Sequence, residues 1–232
     1  MIFQWAKGGD LFDKCCKVGR FSEEQALMIA VELLCAALYI HCKGILHRDI
    51  KLENILVNKT PSGGFSVTLA DFGLAKEVGI RHNKKPLYHS PCGTPGYMAP
   101  EVMNQLAYHK AADIFAIGVS LYTIVAGKPS FDVKRDVDGC RPSKYKTASF
   151  TGEVWGNVSQ DGKDFIQGLM EVDVKKRMGA SEALSHKWLR DGLALRACLR
   201  DPVNKKVEHA LQTSKQMALA AGAEWSPALG AV

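Results

Sequence analysis

Four polar residues, Asp49, Lys51, Asn54 and Asp71, have the types and spacing needed to handle a phosphoryl group. Asp49 and Asn54 stand five positions apart in His47-Arg48-Asp49-Ile50-Lys51-Leu52-Glu53-Asn54, and Asp71 opens Asp71-Phe72-Gly73. Phosphoryl transfer asks a protein for positioning and charge neutralisation more than for covalent chemistry. A carboxylate such as Asp49 can orient an acceptor hydroxyl, and Lys51 can neutralise charge on the moving group. Asn54 and Asp71 offer the oxygen ligands that the hard cation Mg²⁺ prefers. Any one of these residues is commonplace in a turn, and only the set in this order points to that chemistry.

The elements that must hold them can be read from pattern. Ser22-Glu23-Glu24-Gln25 predicts a helix start with Ser22 as N-cap and Gln25 closing a capping box. That helix should run to about Lys43, where Gly44 stops it. Ile55-Leu56-Val57 and Ser66-Val67-Thr68-Leu69 are strand-like runs around the turn signal Pro61-Ser62-Gly63-Gly64, so a hairpin should bring Asn54 and Asp71 together. Residues 74–100 hold four prolines and no sustained period, which predicts a long loop. Ala111 to Ala126 is apolar on nearly every face, the pattern of a helix buried all round. Asp161 to Met170 and Ser181 to Leu189 are amphipathic helices. A weak helical stripe, Val207, Ala210, Leu211, Met217 and Ala218, follows a shift in composition beyond Leu193.

The bulk properties narrow the class. With 232 residues and 47% hydrophobic residues the chain can bury a sizeable core. A net charge of +6, from 30 basic and 24 acidic residues, is too mild to call for nucleic acid. Seven cysteines without a CxxC pair fit a reduced, intracellular (cytoplasmic) setting. No signal-peptide pattern opens the chain. Ala26 to Ile40 and Ile114 to Gly127 are too short to span a membrane, and no membrane role is expected.

The motifs at 47–54 and 71–73, with Gly93-Thr94-Pro95-Gly96-Tyr97-Met98-Ala99-Pro100-Glu101, resemble the catalytic loop, metal-binding turn and activation-segment end of eukaryotic protein kinases. The resemblance covers about residues 1–190. It implies an α+β, mainly α fold: a large lobe with a short catalytic hairpin, the β-rich small lobe being absent. Residues 1–7 would be a hinge remnant, 8–190 the lobe and 191–232 a tail. It further implies ATP and Mg²⁺ as cofactors. Asp49 would be the catalytic base, Lys51 the phosphate-contacting lysine, and Thr94 the residue bonding both. Asn54 and Asp71 would be the metal ligands, and Glu101 would pair with Arg177. His47 and Phe72 would pack together rather than do chemistry.

On the nucleotide side the resemblance points to Gln4, Ala6, Asp10, Glu53 and Leu56, with Phe3 as gatekeeper and Leu56 beneath the adenine ring. The adenine-facing surface around Ala6, Leu11 and Leu56 should be open. Asp10 and Glu53 occupy positions that contact arginine in basophilic relatives, so protein substrates with upstream basic residues are expected. Ser90, four residues before Thr94, is the expected activation-loop phosphosite, with Arg48 as its partner. Gly8-Gly9-Asp10-Leu11-Phe12-Asp13 and Cys92 to Glu101 are similar to the calcium/calmodulin-dependent group. The basic tail (Arg196, Arg200, Lys205, Lys206, Lys215) is then a candidate calmodulin target, contact for a calcium-binding domain, or autoinhibitory segment. No Gly-rich loop and no Val-Ala-x-Lys strand occurs in the sequence. Two readings therefore stand: a Ser/Thr kinase fragment lacking its small lobe, or a kinase-like binding module without transferase activity.

Overall fold

The computed structural model describes residues 6–60, 63–78, 92–131, 148–194, 205 and 208–217. Gly8 and Gly9 run alongside the later hairpin, Gly8 N–H donating to Val57 O and Val57 N–H to Gly9 O, both at 2.9 Å. Asp10 then caps a helix the sequence pattern did not reveal, α1 (Leu11–Val18), by accepting from Asp13 N–H at 2.7 Å. The expected long helix, α2 (Glu23–Cys42), begins with the complete Ser22/Gln25 capping box. It is long and apolar enough by length and composition to cross a membrane, longer than the apolar run suggested. Most of it, however, is buried against α4 (Ala111–Ala126), the hairpin and the last helices, which marks it as a core helix.

Strands β2 (Ile55–Lys59) and β3 (Phe65–Leu69) form the predicted antiparallel hairpin, with Ile55 opposite Leu69 and Lys59 opposite Phe65. The segment expected to be an unbroken loop differs. Lys76–Glu77 (β4) pairs with Ile45–Leu46 (β1), fastening the chain after Asp-Phe-Gly to the entry of the catalytic loop. Two-residue strands leave no periodic signature, so the pairing is a tertiary outcome. Pro100 starts a short helix, α3 (Pro100–Met103), at the position where its missing N–H costs nothing.

Helix α4 is buried all round as its composition predicts. The chain then forms α5 (Glu153–Gly156) and α6 (Gln160–Leu169). The single helix expected over 181–189 is two, α7 (Ala180–Leu184) and α8 (Lys187–Ala194). His186 Nδ1 accepts Trp188 N–H at 3.1 Å, which gives the ladder an alternative partner at the break. Among the described residues of the tail, 205 and 208–217 are helical, and the run 208–217 is labelled α9. Of the tail stripe, Ala210 and Leu211 pack on the core cluster. Ser214, which interrupts the stripe in sequence, is buried, while Val207 and Ala218 lie outside the described residues.

Gly118 sets how closely α4 and α6 approach. A Cβ there would lie 2.7 Å from Met170 Cγ and 2.9 Å from Leu169 Cβ. Gly118→Ala is therefore expected to lose stability despite its better helix propensity, by about 1–3 kcal/mol for overpacking. A denaturant midpoint equal to or above that of the parent chain would contradict this.

Candidate active site

The catalytic loop lies between β1 and β2, with Lys51 flanking a 3₁₀ turn over Leu52–Asn54. Its backbone is held from below by one carboxylate. Asp113, in the first turn of α4, accepts His47 N–H on Oδ2 and Arg48 N–H on Oδ1, each at 2.9 Å. His41 Nε2 meets the same Oδ2 at 2.8 Å. Burial raises the Asp113 pKa, but His41 and the two amides outweigh it and hold the carboxyl below the ordinary range. Arg48 takes a left-handed φ of 69°, a conformation costly for a side-chain-bearing residue, and this anchor over-determines it. Sequence reasoning missed the roles of Asp113 and His41. The available signal was a single carboxylate in an otherwise apolar helix, which cannot be buried without partners.

Above that anchor three side chains converge. Lys51 Nζ lies 3.0 Å from Asp49 Oδ2 and donates to Thr94 Oγ1 at 2.9 Å, and the Thr94 hydroxyl donates to Asp49 Oδ1 at 2.8 Å. Gly93 makes the approach of Thr94 feasible. Its φ is 114°, and a Cβ would sit 2.6 Å from Arg48 O. Burial pushes the Asp49 carboxyl up, yet Thr94, Lys51 and Asn54 together keep it below the ordinary carboxylate range. Asp49 thus stays ionised, with both oxygens already oriented.

Asn54 donates its side-chain N–H to Asp49 O at 2.8 Å and to Asp49 Oδ2 at 3.1 Å, leaving the amide oxygen as its available ligand atom. Ala70 N–H donates to Asn54 O at 2.9 Å, so the hairpin does bring Asn54 beside Asp71. Asp71 is exposed with φ 59°, and its Oδ1 accepts Gly73 N–H at 3.1 Å. One constrained carboxylate and one amide oxygen fit Mg²⁺, which binds through few protein ligands and completes its shell with phosphate and water oxygens.

The expected packing of His47 and Phe72 is present. Their rings meet edge-on at 4.8 Å, and His47 Nε2 pairs with Ala70 O at 3.0 Å. Phe72 and Leu74 remain 47% and 41% exposed. Ala6 and Leu56 are half-buried. Leu11, expected to be open, is instead 0% exposed, because α1 turns it into the core beneath the hairpin.

Asp10 spends one oxygen on its helix cap, while Glu53 is exposed. Arg48 Nε donates to Leu74 O at 2.7 Å. Its Nη1 reaches Tyr108 OH at 3.5 Å, which in turn lies 3.4 Å from Cys92 Sγ. Phe3, Gln4 and Ser90 lie outside the described residues. Glu101 and Arg177 form the expected pair as a two-pronged contact at 2.6 and 2.9 Å.

A mainly helical lobe with a carboxylate–lysine–threonine triangle on its catalytic loop, beside a metal-suited pair that the hairpin brings together, defines a kinase large lobe. The comparisons agree: the family model "Protein kinase domain" matches residues 1–189, and the chain belongs to the protein kinase family. Its place there is with the Ser/Thr kinases of the calcium/calmodulin-dependent group, as a partial kinase domain. It is similar to "Myosin light chain kinase A" of Dictyostelium discoideum, 38% identical over 193 residues, spanning 82% of this chain and 63% of that protein. The "Calcium/calmodulin-dependent protein kinase cmkB" of Emericella nidulans is 37% identical over 190 residues, spanning 82% of this chain and 46% of that one. A serine/threonine-protein kinase of Mus musculus is 37% identical over 191 residues, spanning 82% and 23%. The chain therefore spans less than two thirds of the length of each of these relatives.

Proposed function

We propose that the chain is the large lobe of an enzyme that moves the γ-phosphoryl group of ATP to a Ser or Thr hydroxyl of a protein. The observation that carries this reading is the closed triangle of Asp49, Thr94 and Lys51. A binding module would have no use for an ionised carboxylate whose oxygens are both pre-aimed. Bound ATP supplies the phosphoryl group, and Mg²⁺ supplies charge neutralisation. In this reading Asp49 orients the acceptor hydroxyl and takes its hydrogen bond. Lys51 offers its ammonium to the phosphoryl oxygens, and Thr94 keeps both in register. Asn54 and Asp71 hold the cation through oxygens.

Residues 1–7 serve as the hinge, with Gln4, Ala6 and Leu56 toward adenine. Glu53 and Asp10 favour basic residues upstream of the acceptor, Asp10 through the oxygen not committed to its cap. Ser90 is the activation-loop phosphosite, with Arg48 as partner. The names of the relatives support calmodulin or a calcium-binding domain as a regulator. Cys15, Cys16, Cys42 and Cys92 form no disulfide among the described residues, which suits an intracellular setting.

Residues 1–232 by themselves should turn over little, because the phosphate-gripping lysine and its glutamate partner are not among them. With a kinase small lobe placed ahead of residue 1, the protein is expected to label a Ser peptide bearing upstream arginine in Mg-ATP. Labelling should be weaker on an acidic or proline-directed peptide. ATP binding without labelling of any Ser or Thr peptide would instead support a binding module.

A further inference from the structure

Tyr108 takes no direct part in the chemistry above, yet its hydroxyl lies where the chain stretches bearing Asp49 and Thr94 meet. The residue is only 3% exposed and precedes α4. A buried tyrosine hydroxyl needs polar partners. Here it has Arg48 Nη1 at 3.5 Å and Cys92 Sγ at 3.4 Å, 60 and 16 positions away in the chain. A guanidinium can only donate, so the phenol oxygen accepts from Arg48 and keeps its own proton for the Cys92 sulfur. Burial first, and then the bond with Cys92, push the phenol up to about 12, so near neutral pH it stays an uncharged O–H.

The two partners flank the triangle. Arg48 adjoins Asp49, and Cys92 stands two residues before Thr94. Between them the backbones are close: a Cβ at Gly93 would lie 2.6 Å from Arg48 O. Asp113 fixes the loop's side of this contact through the His47 and Arg48 amides. The Tyr108 hydroxyl spans both sides. Its place there bears on the triangle, because the Thr94 hydroxyl is foremost among the groups that hold the Asp49 carboxyl low. A segment that drifts from the loop weakens that bond.

We propose that the Tyr108 hydroxyl is a positioning group for phosphoryl transfer: by bridging Arg48 and Cys92 it holds Thr94 in register with Asp49. Tyr108 and Cys92 are positioning residues, since neither touches the reacting atoms. The effect on rate rests on the kinase reading; the effect on Asp49 itself does not.

The test uses Tyr108→Phe, which keeps the ring and removes the hydroxyl, and Cys92→Val, which removes the other end of the bridge. In residues 1–232 the Asp49 carboxyl is titrated by carbon NMR, with Asp49→Asn to assign its signal. Both variants should move that titration up toward the ordinary carboxylate range, and the double variant should move it no further than either alone. Cys92→Ser, which keeps a polar group in reach of Tyr108, should retain most of what Cys92→Val loses. With a small lobe ahead of residue 1, Tyr108→Phe should lower kcat about three- to tenfold, the worth of one neutral hydrogen bond. KM for ATP should stay within about twofold, and the acid side of the kcat profile should move to higher pH. An Asp49 titration unmoved in both variants would overturn the proposal and leave Tyr108 as packing alone. Effects of the two substitutions that simply add would show that they do not act through one bridge, and would overturn it as well. If Cys92→Val moves the titration and Tyr108→Phe does not fold, the comparison of Cys92→Ser with Cys92→Val decides the bridge. If no protein in the series labels a Ser or Thr peptide, the kinase reading fails, while the Asp49 titration still decides whether Tyr108 holds the triangle.

Discussion

Asp49→Asn, in the chain carrying a small lobe ahead of residue 1, is expected to slow phosphoryl transfer by about 10²–10⁴-fold. The substitution is nearly isosteric, so the fold and the Thr94 contact should survive. What goes is the charge that Lys51 and Thr94 stabilise and that orients the acceptor hydroxyl. Because Asp49 is assigned to the hydroxyl rather than to the nucleotide, KM for ATP should change little while kcat falls. Initial rates at saturating peptide, with circular dichroism as a check on folding, decide the matter. Turnover within a few-fold of the parent would remove Asp49 from its assigned role, however well the triangle is formed.

Arg177→Ala is expected to give the largest loss of stability in the chain. The guanidinium makes both prongs of the contact with Glu101 and also donates to Ala111 O at 2.9 Å and Glu171 O at 2.7 Å. It lies over the Phe115 ring with 4.9 Å to the centroid. The side chains of Arg177 and Glu101 are 0% and 5% exposed. Removing one partner strands a buried carboxylate, which costs about 3–5 kcal/mol. The paired substitution Arg177→Met with Glu101→Gln should lose less, because no uncompensated charge is left behind. Urea unfolding of the three proteins separates the cases. A single variant no less stable than the double would show that the stranded charge is not the cause.

Much of this protein was legible before any coordinates. The start of α2 follows from Ser22 and Gln25, because a capping box is local and needs only residues three positions apart. Burial of α4 follows from an apolar run without a polar face. The hairpin follows from strand-like runs around a turn, and with it the meeting of Asn54 and Asp71. The Asp49, Lys51 and Thr94 set was legible because a family motif ties their roles to their order in the chain.

What the tertiary structure decided depends on residues far apart in sequence. Asp113 becomes the anchor of the catalytic loop only because α4 passes beneath it, 66 positions from its bond to His47. β4 exists only because β1 lies beside it, since two residues carry no period of their own. Leu11 is core because α1 turns it inward, although its place beside the hinge suggested an open surface. Ser214 shows the same limit. A hydroxyl counts as a break in an apolar stripe when only the helix is considered, and as a contact once Cys42, 172 positions away, supplies its partner. Local patterns specify elements because their energetics act over a few residues, whereas polar anchors and seats are specified by desolvation, which only packing imposes.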